Sequence, residues 1–454
     1  MTKTFLAYLT VVSTLTSISA AEFQVNTRTS NDQKDAAIAM DATGNFVVVW
    51  NSYRQDGDSG GIFAQHFDPN GTPVGDEFQI NTTTEGNQAR PSVAMDAGGN
   101  FVVAWQGPGL SEEDIFAQRF DPNGQPLGGE FQVNSFTDGA QEEPAVAMTA
   151  GGAFVVVWES ENVPQDANKT SICAQLYDST GLPVGAEFTI NTQIAACRYP
   201  DVAMDDDGNF AIVWLNQNGA NSIVLRPYAP DGTAEAQPLK LNTVRFSSVT
   251  QPSIAIAGTG RFVVVWDGDP NRAGDDDIHA LRLPVDEGTI VNQFMVNTTR
   301  AGAQQNPKVA MKSHGEFVIV WDSETGLGNT ERDIFGQCFD SLGNAIGDEF
   351  QLNTFVDGEQ KEPVVALSED GCFVTIWESD DQDGSGYGIF GRIGPITGSA
   401  DCNSDGCVNF LDYCILAAEW HKTENPLEAD LIDDNKIDAQ DLAAFCNQWL
   451  AASE

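Results

Sequence analysis

EFQVNT, Glu22 to Thr27, returns along the chain in close copies. They are Glu77-Phe78-Gln79-Ile80-Asn81, Glu130-Phe131-Gln132-Val133-Asn134 and Glu349-Phe350-Gln351-Leu352-Asn353. Each later copy sits inside a longer pattern, whereas the first stands ahead of the rest of that pattern. The fold turns on the reason for this offset.

The longer pattern is built around a Phe-X-X-X-Trp segment that recurs seven times. It falls at Phe46–Trp50, Phe101–Trp105, Phe154–Trp158, Phe210–Trp214, Phe262–Trp266, Phe317–Trp321 and Phe373–Trp377, at spacings of 52 to 56 residues. Val, Ile and Ala fill the interior almost throughout, and a run without polar alternation predicts a strand buried on both faces. A glycine precedes each run in register (Gly44, Gly99, Gly152, Gly208, Gly260, Gly315 and Gly371), in turns such as Asp41-Ala42-Thr43-Gly44-Asn45. Ahead of the turn lies another short strand with alanine at its centre: Ala39, Ala94, Ala147, Ala203, Ala255, Ala310 and Ala366. A small side chain kept there predicts a crowded place where neighbouring units converge. Proline usually opens this strand, as in Pro91-Ser92-Val93-Ala94-Met95, which fits a start lacking one ladder donor.

After each tryptophan come a variable loop and a third strand, such as Ile62-Phe63-Ala64-Gln65 or Ile115-Phe116-Ala117-Gln118. Asp-Pro-Asn-Gly (Asp68 to Gly71, Asp121 to Gly124) then makes a tight turn, and the EFQVN segment is the fourth strand. A four-stranded antiparallel unit repeated at this period is the signature of a propeller blade. Naming the strands A to D, there are seven A, seven B and seven C strands. There are seven D strands only if Glu22 to Asn26 is one of them, because the seventh unit ends near Arg392 without its own. A ring closes if the N-terminal strand completes the last blade and removes an open sheet edge. An open solenoid gives no reason for the offset, so the sequence predicts an all-β seven-bladed propeller.

In such a ring the A–B and C–D turns share one face, and the B–C loops and D–A crossings share the other. The B–C loops are acidic, with Asp56, Asp58, Glu112 to Asp114, Asp275 to Asp277, Asp380, Asp381 and Asp383, and variable loops on a rigid scaffold are where binding usually resides. The tryptophans follow the buried strand, which predicts blade core rather than sugar-stacking platforms. Units four and five diverge most, as in Arg226 to Gly232 and Pro238 to Asn242, yet keep the frame. Over residues 22–392 the repeats are similar to tandem repeats of extracellular proteins of environmental bacteria, a resemblance that implies little about activity.

Residues 1–21 read as a signal peptide: Lys3, an apolar stretch from Phe5 to Leu15, and a small-residue end at Ser19-Ala20-Ala21. No later run approaches the roughly 20 apolar residues of a membrane span, so the remainder is expected to be exported, outside or on the surface of the cell. The formal charge of −44 with only 22 basic residues argues against nucleic acid or an anionic membrane as partner. Eight cysteines in an exported chain are compatible with disulfides, and Cys402, Cys407, Cys414 and Cys446 fall in the last 55 residues. Their pairing is left open by the sequence. Cys173 and Cys338 occupy strand-like positions, while Cys197 and Cys372 lie near turns.

A linker, 394–400, separates the ring (22–393) from a tail (401–454) whose sequence carries chemistry. DCNSDGCVNFLD, Asp401 to Asp412, sets oxygen side chains at positions 1, 3, 5, 9 and 12 of a twelve-residue loop, with Gly406 at the bend. That spacing wraps a calcium ion. Asp401, Asn403 and Asp405 ligate directly, the Cys407 carbonyl supplies position 7, Asn409 acts through water, and Asp412 closes the shell from a helix ending at Trp420. The arrangement returns 29 residues on, with Asp430, Asp434, Asp438, Asp441 and the Lys436 carbonyl. There Ile432 occupies position 3 and Asn435 replaces the glycine, so the second loop is expected to be weaker.

This duplicated loop-helix resembles the dockerin family over residues 400–450. The resemblance implies a small helical domain, folded by calcium, that docks an exported protein onto a cohesin partner, often within polysaccharide-degrading assemblies. Loop positions 10 and 11, which help choose the cohesin in typical members, are Phe410-Leu411 and Ala439-Gln440 here rather than small hydroxyl residues. The cysteines and tryptophans look more like the divergent dockerin-like tails of non-cellulosomal bacteria, and a cell-surface component is an alternative partner.

His66, His279, His314 and His421 sit at unrelated repeat positions, and no nucleophile or phosphate-loop motif is present, so no catalytic residue is assigned. Glycosidases need only two carboxylates at a set separation, which a sequence does not reveal. The expectation is an exported calcium-binding protein whose propeller binds polysaccharide or protein, with a dockerin-borne glycoside hydrolase or lyase as the alternative. A pair of buried carboxylates at the channel mouth distinguishes the enzyme.

Overall fold

The computed structural model describes residues 21–396 apart from segments 110–111, 164–169, 192–195, 218–220, 243–250, 259, 270–275, 284–290 and 325–330. The leader and the calcium-loop tail therefore lie outside the described residues. Within them the chain forms seven four-stranded antiparallel sheets, each in the order A-B-C-D. Blade 1 is typical, with strands Gln33–Met40, Phe46–Tyr53, Gly60–Phe67 and Pro73–Gln79. Among the described residues no helix is long and apolar enough to cross a membrane.

Strand B is buried on both faces because its alternate residues serve two neighbours. Phe46, Val48 and Trp50 pack with Val374, Ile376 and Ile389 of blade 7. Val47 and Val49 pack with Val93, Phe101 and Trp105 of blade 2. The seven tryptophans of the Phe-X-X-X-Trp segments are at most 1 % exposed, so they are core and offer no stacking surface. Burying an aromatic of that size is worth roughly 4–6 kcal/mol before entropy is charged. The hydrophobic residues separate into seven clusters, one at each junction between successive blades, including blade 7 against blade 1. An open row of seven blades has six junctions; seven require a closed ring. Six of the seven central alanines stand in these junctions, as Ala39 does against blade 2.

The seventh blade is closed by Phe23–Gln24, which pairs antiparallel with Tyr387–Pro395 in the register Phe23↔Gly391 and Gln24↔Phe390. Gly391 gives this pairing room, since a Cβ there would lie 2.5 Å from Ile376 Cδ1 and 2.8 Å from the Phe23 ring. Val25 N–H donates to the Ile389 carbonyl at 2.8 Å, and Ile389 N–H donates back to Asn26 Oδ1 at 2.7 Å.

That second bond explains the asparagine of EFQVN. In every blade the equivalent side chain (Asn81, Asn134, Asn191, Asn242, Asn297 and Asn353) accepts from a strand C amide at 2.7 to 3.0 Å. The glutamate has a different partner. Glu77 Oε2 accepts from Thr27 N–H at 2.7 Å, Glu130 from Thr82 at 2.6 Å, Glu187 from Ser135 at 2.6 Å and Glu349 from Thr298 at 2.7 Å, each reaching the preceding blade. Glu22 accepts from Thr354 of blade 6, so the first six residues of the quoted stretch bind blades 6, 7 and 1 together.

Three details differ from expectation. Strand A starts before the proline, at Ala89 for Pro91 and Gln141 for Pro144, because the ring nitrogen falls in a β-bulge where the ladder is already broken. Cys197 lies in a strand and is buried, like Cys173 and Cys338. The last strand runs to Pro395, past the boundary at 393, since Gly394 and Pro395 still pair with Phe373 and Cys372.

Candidate functional site at the channel mouth

The innermost strands surround the central channel, and their bulges make its rim on the face of the B–C loops. In six blades the pairing with strand B slips at this point, between Lys34/Ala37, Ala89/Ser92, Glu142/Ala145, Arg198/Asp201, Gln305/Lys308 and Lys361/Val364. The first residue of each bulge is left-handed without being glycine: Asp35, Arg90, Glu143, Tyr199, Asn306 and Glu362 have φ between 52° and 54°. That conformation costs a residue with a Cβ roughly 1–2 kcal/mol, and it persists only where the surroundings impose it.

In four of the six blades the imposing group is the residue after the tryptophan of the preceding blade. Glu378 Oε1 accepts Asp35 N–H at 2.7 Å, and Glu159 Oε1 accepts Tyr199 N–H at 2.6 Å. Gln106 Oε1 accepts Glu143 N–H at 3.1 Å, and Asp322 Oδ2 accepts Glu362 N–H at 3.2 Å. The left-handed turn aims the bulge amide sideways at these oxygens, so one backbone device both locks adjacent blades and fixes the rim.

These side chains are dry. Glu378 and Glu159 are 2 % exposed and Asp322 is fully buried. Burial pushes Glu378 up to about 8, helped by repulsion from Glu362 and opposed by the Asp35 amide and Lys361. Burial likewise pushes Glu159 up to about 7, against the Tyr199 amide and Arg198. Asp322 rises to about 6 from the same cause, opposed by Arg332, whose Nη1 lies 2.9 Å from Oδ1.

Above them, the rim residues and the two that follow each line a cavity of about 180 Å³ drawn from all seven blades, with Gln251 completing the circle. The position that faces the cavity carries Asp, Arg, Glu, Tyr, Gln, Asn and Glu in blade order, and proline follows it in six of the seven blades. Arg90 Nη1 contacts Glu143 Oε1 at 3.0 Å. Burial lowers the Arg90 pKa, and the combined pull of Glu143, Asp35 and Glu362 outweighs it, giving a net rise. Burial raises Glu143, with Arg90 opposing. A scaffold repeated sevenfold that sets a ring of polar side chains at a concave centre is suited to recognising a polar ligand.

The sequence led to other places. The calcium positions, Asp401, Asn403, Asp405, Cys407, Asn409, Asp412, Asp430, Asp434, Lys436, Asp438 and Asp441, lie outside the described residues. Several acids of the B–C loops turn out to brace the frame: Asp114 Oδ1 accepts from Asn134 Nδ2 at 2.6 Å, Asp277 from Asn297 at 2.8 Å, and Asp58 Oδ2 from Gly86 N–H at 2.8 Å. The rim was overlooked because its prolines read only as strand starts. The available signal was the proline itself, which recurs in six units directly after a polar residue.

No protein-family model and no curated protein matches the chain. Solved structures do resemble it in fold. One is a protein of unknown function from Dyadobacter fermentans, with TM-score 0.50 and 12 % identity, covering 83 % of this chain and 98 % of its own. Another is a polysaccharide lyase, an ulvan lyase bound to a glucuronate and sulfated-rhamnose segment, with TM-score 0.53 and 9 % identity, covering 83 % of this chain and 95 % of its own. At such identities the likeness is one of architecture, and it agrees with the closed ring of seven blades.

Proposed function

We propose that the chain is an exported polysaccharide-binding propeller with a calcium-stabilised docking tail. The observation that carries the binding claim is the rim: seven polar side chains, six of them held in a costly backbone conformation over a concave cavity. The architectural likeness to an ulvan lyase supports polysaccharide as the ligand class. The leader at 1–21 supports export, and the paired loops at 401–412 and 430–441 support calcium and a cohesin-like or cell-surface partner. A glycan-array and polysaccharide-binding screen of the mature chain, with and without calcium, tests this. Retention of at least one polysaccharide is expected, and retention of none contradicts it.

A second reading, cleavage of the bound glycan, is favoured by one observation. Glu143 lines the cavity and its pKa is raised by burial, so it holds a proton more readily than an ordinary carboxyl group, with the Asp35 and Glu362 carboxylates on the same rim. A proton donor facing a second carboxylate is what glycoside hydrolysis uses. The deeper Glu159, Asp322 and Glu378 do not qualify, because their oxygens are occupied by main-chain amides and none lines the cavity. Release of reducing ends from the retained polysaccharide, lost in Glu143→Gln, decides for the enzyme; intact polysaccharide decides for binding alone.

A further inference from the structure

Building on the polysaccharide reading, we infer that the channel mouth receives the end of a glycan chain, one terminal sugar that is uncharged or amino-bearing, rather than the interior of a polymer. The shape of the rim carries the first part. A groove that binds the interior of a chain must be open at two opposite edges, so that the polymer enters and leaves. Here the wall is contributed by every blade in turn, so among the described residues the cavity is enclosed all round at the depth of the rim. Among the described residues the lining ends at the third residue of each bulge, such as Ala37, Ser92 and Val364, while the strands continue to Met40, Met95 and Leu367. The cavity is thus a shallow socket.

Its size agrees. The cavity measures about 180 Å³. That is less than the roughly 300–1,000 Å³ of pockets that enclose a whole drug-sized ligand. One sugar ring entering from above fills it, and the remainder of the chain projects back into solvent.

Charge carries the second part. The lining has four carboxylates, Asp35, Glu143, Asp201 and Glu362, against Arg90 and Lys308, and the whole chain carries −44. Of the two lining cations, Arg90 is already held by Glu143 at 3.0 Å, and Lys308 stands among the remaining carboxylates. A uronate or sulfate would have to displace that carboxylate inside an acidic socket. Hydroxyls, which both donate and accept, and an ammonium group meet complementary partners throughout.

The test is calorimetric titration of the full chain with three probe series: arabinan and arabino-oligosaccharides, chitosan and its oligomers, and polygalacturonate and its oligomers. For a probe that binds, the inference predicts that Kd per mole of chains stays within about threefold from trimer to polymer, since each chain offers one end. Asn306→Gly should weaken every length alike. A Kd per chain that tightens more than about tenfold with length shows interior binding and overturns the inference while leaving the polysaccharide reading intact. Preference for polygalacturonate overturns the charge argument. Binding to none of the three, in a chain that retains no polysaccharide in the wider screen, removes both.

Discussion

Replacing Glu378 by glutamine should make the propeller more stable in alkali and leave it unchanged in acid. The carboxyl of Glu378 has an ordinary value of 4.5, and in the folded ring burial raises it to about 8. Between those values the unfolded chain has released a proton that the folded chain keeps. Folding is therefore favoured less as pH rises, by about 1.4 kcal/mol for each pH unit from 4.5 to 8. Over the whole window this reaches about 5 kcal/mol as an upper bound. An amide does not titrate, and the blade 2 junction already uses one: Gln106 Oε1 accepts the Glu143 amide at 3.1 Å where Glu378 accepts that of Asp35. Urea unfolding of wild type and Glu378→Gln should coincide within about 1 kcal/mol at pH 5, and the variant should be the more stable by several kcal/mol at pH 8.5. Parallel pH profiles, or a variant weaker at every pH, would refute the claim that Glu378 is a buried, proton-holding acceptor.

Two further outcomes follow from the ring and the tail. A mature chain beginning at Thr27 loses the closing strand, the 2 % exposed Val25 and the acceptor for the Ile389 amide; leaving that buried N–H unpaired alone costs about 1–3 kcal/mol. It should melt at lower temperature and self-associate through the bared edge of blade 7, and an unchanged melting curve would show that the strand is dispensable. Because the described propeller contains only strands, added helical circular dichroism on restoring calcium to chelated full-length chain reports on the tail. A gain is expected in wild type and is reduced by Asp405→Ala; no gain in wild type removes the calcium reading.

Much of the architecture was legible because its physics is local and repeated. The Phe-X-X-X-Trp run announces a strand buried twice over, and the displaced EFQVNT announces the closure, since only a ring gives an orphaned fourth strand a partner. The asparagine and glutamate of the repeated stretch were visible as letters, but their partners lie on strand C and on the preceding blade, 19 and 50 positions away for Asn81 and Glu77 and 363 and 332 for Asn26 and Glu22. The rim was hidden for a related reason. In four blades the left-handed bulge is held by an oxygen from the preceding blade, and nothing in Glu143-Pro144 or Tyr199-Pro200 states where that oxygen will be. The acidic loops misled in the opposite direction, since Asp114 and Asp277 are spent on holding asparagines.

The central claim, that the rim is kept for binding at the expense of stability, is tested most directly by the double variant Arg90→Gly/Tyr199→Gly. Glycine adopts the left-handed conformation freely, so each change removes a rim side chain and relieves strain of roughly 1 kcal/mol. Melting and titration with the retained polysaccharide are to be measured on the same sample. The account predicts an equal or higher melting temperature together with loss of binding. Binding that survives in a fully folded double variant would contradict it.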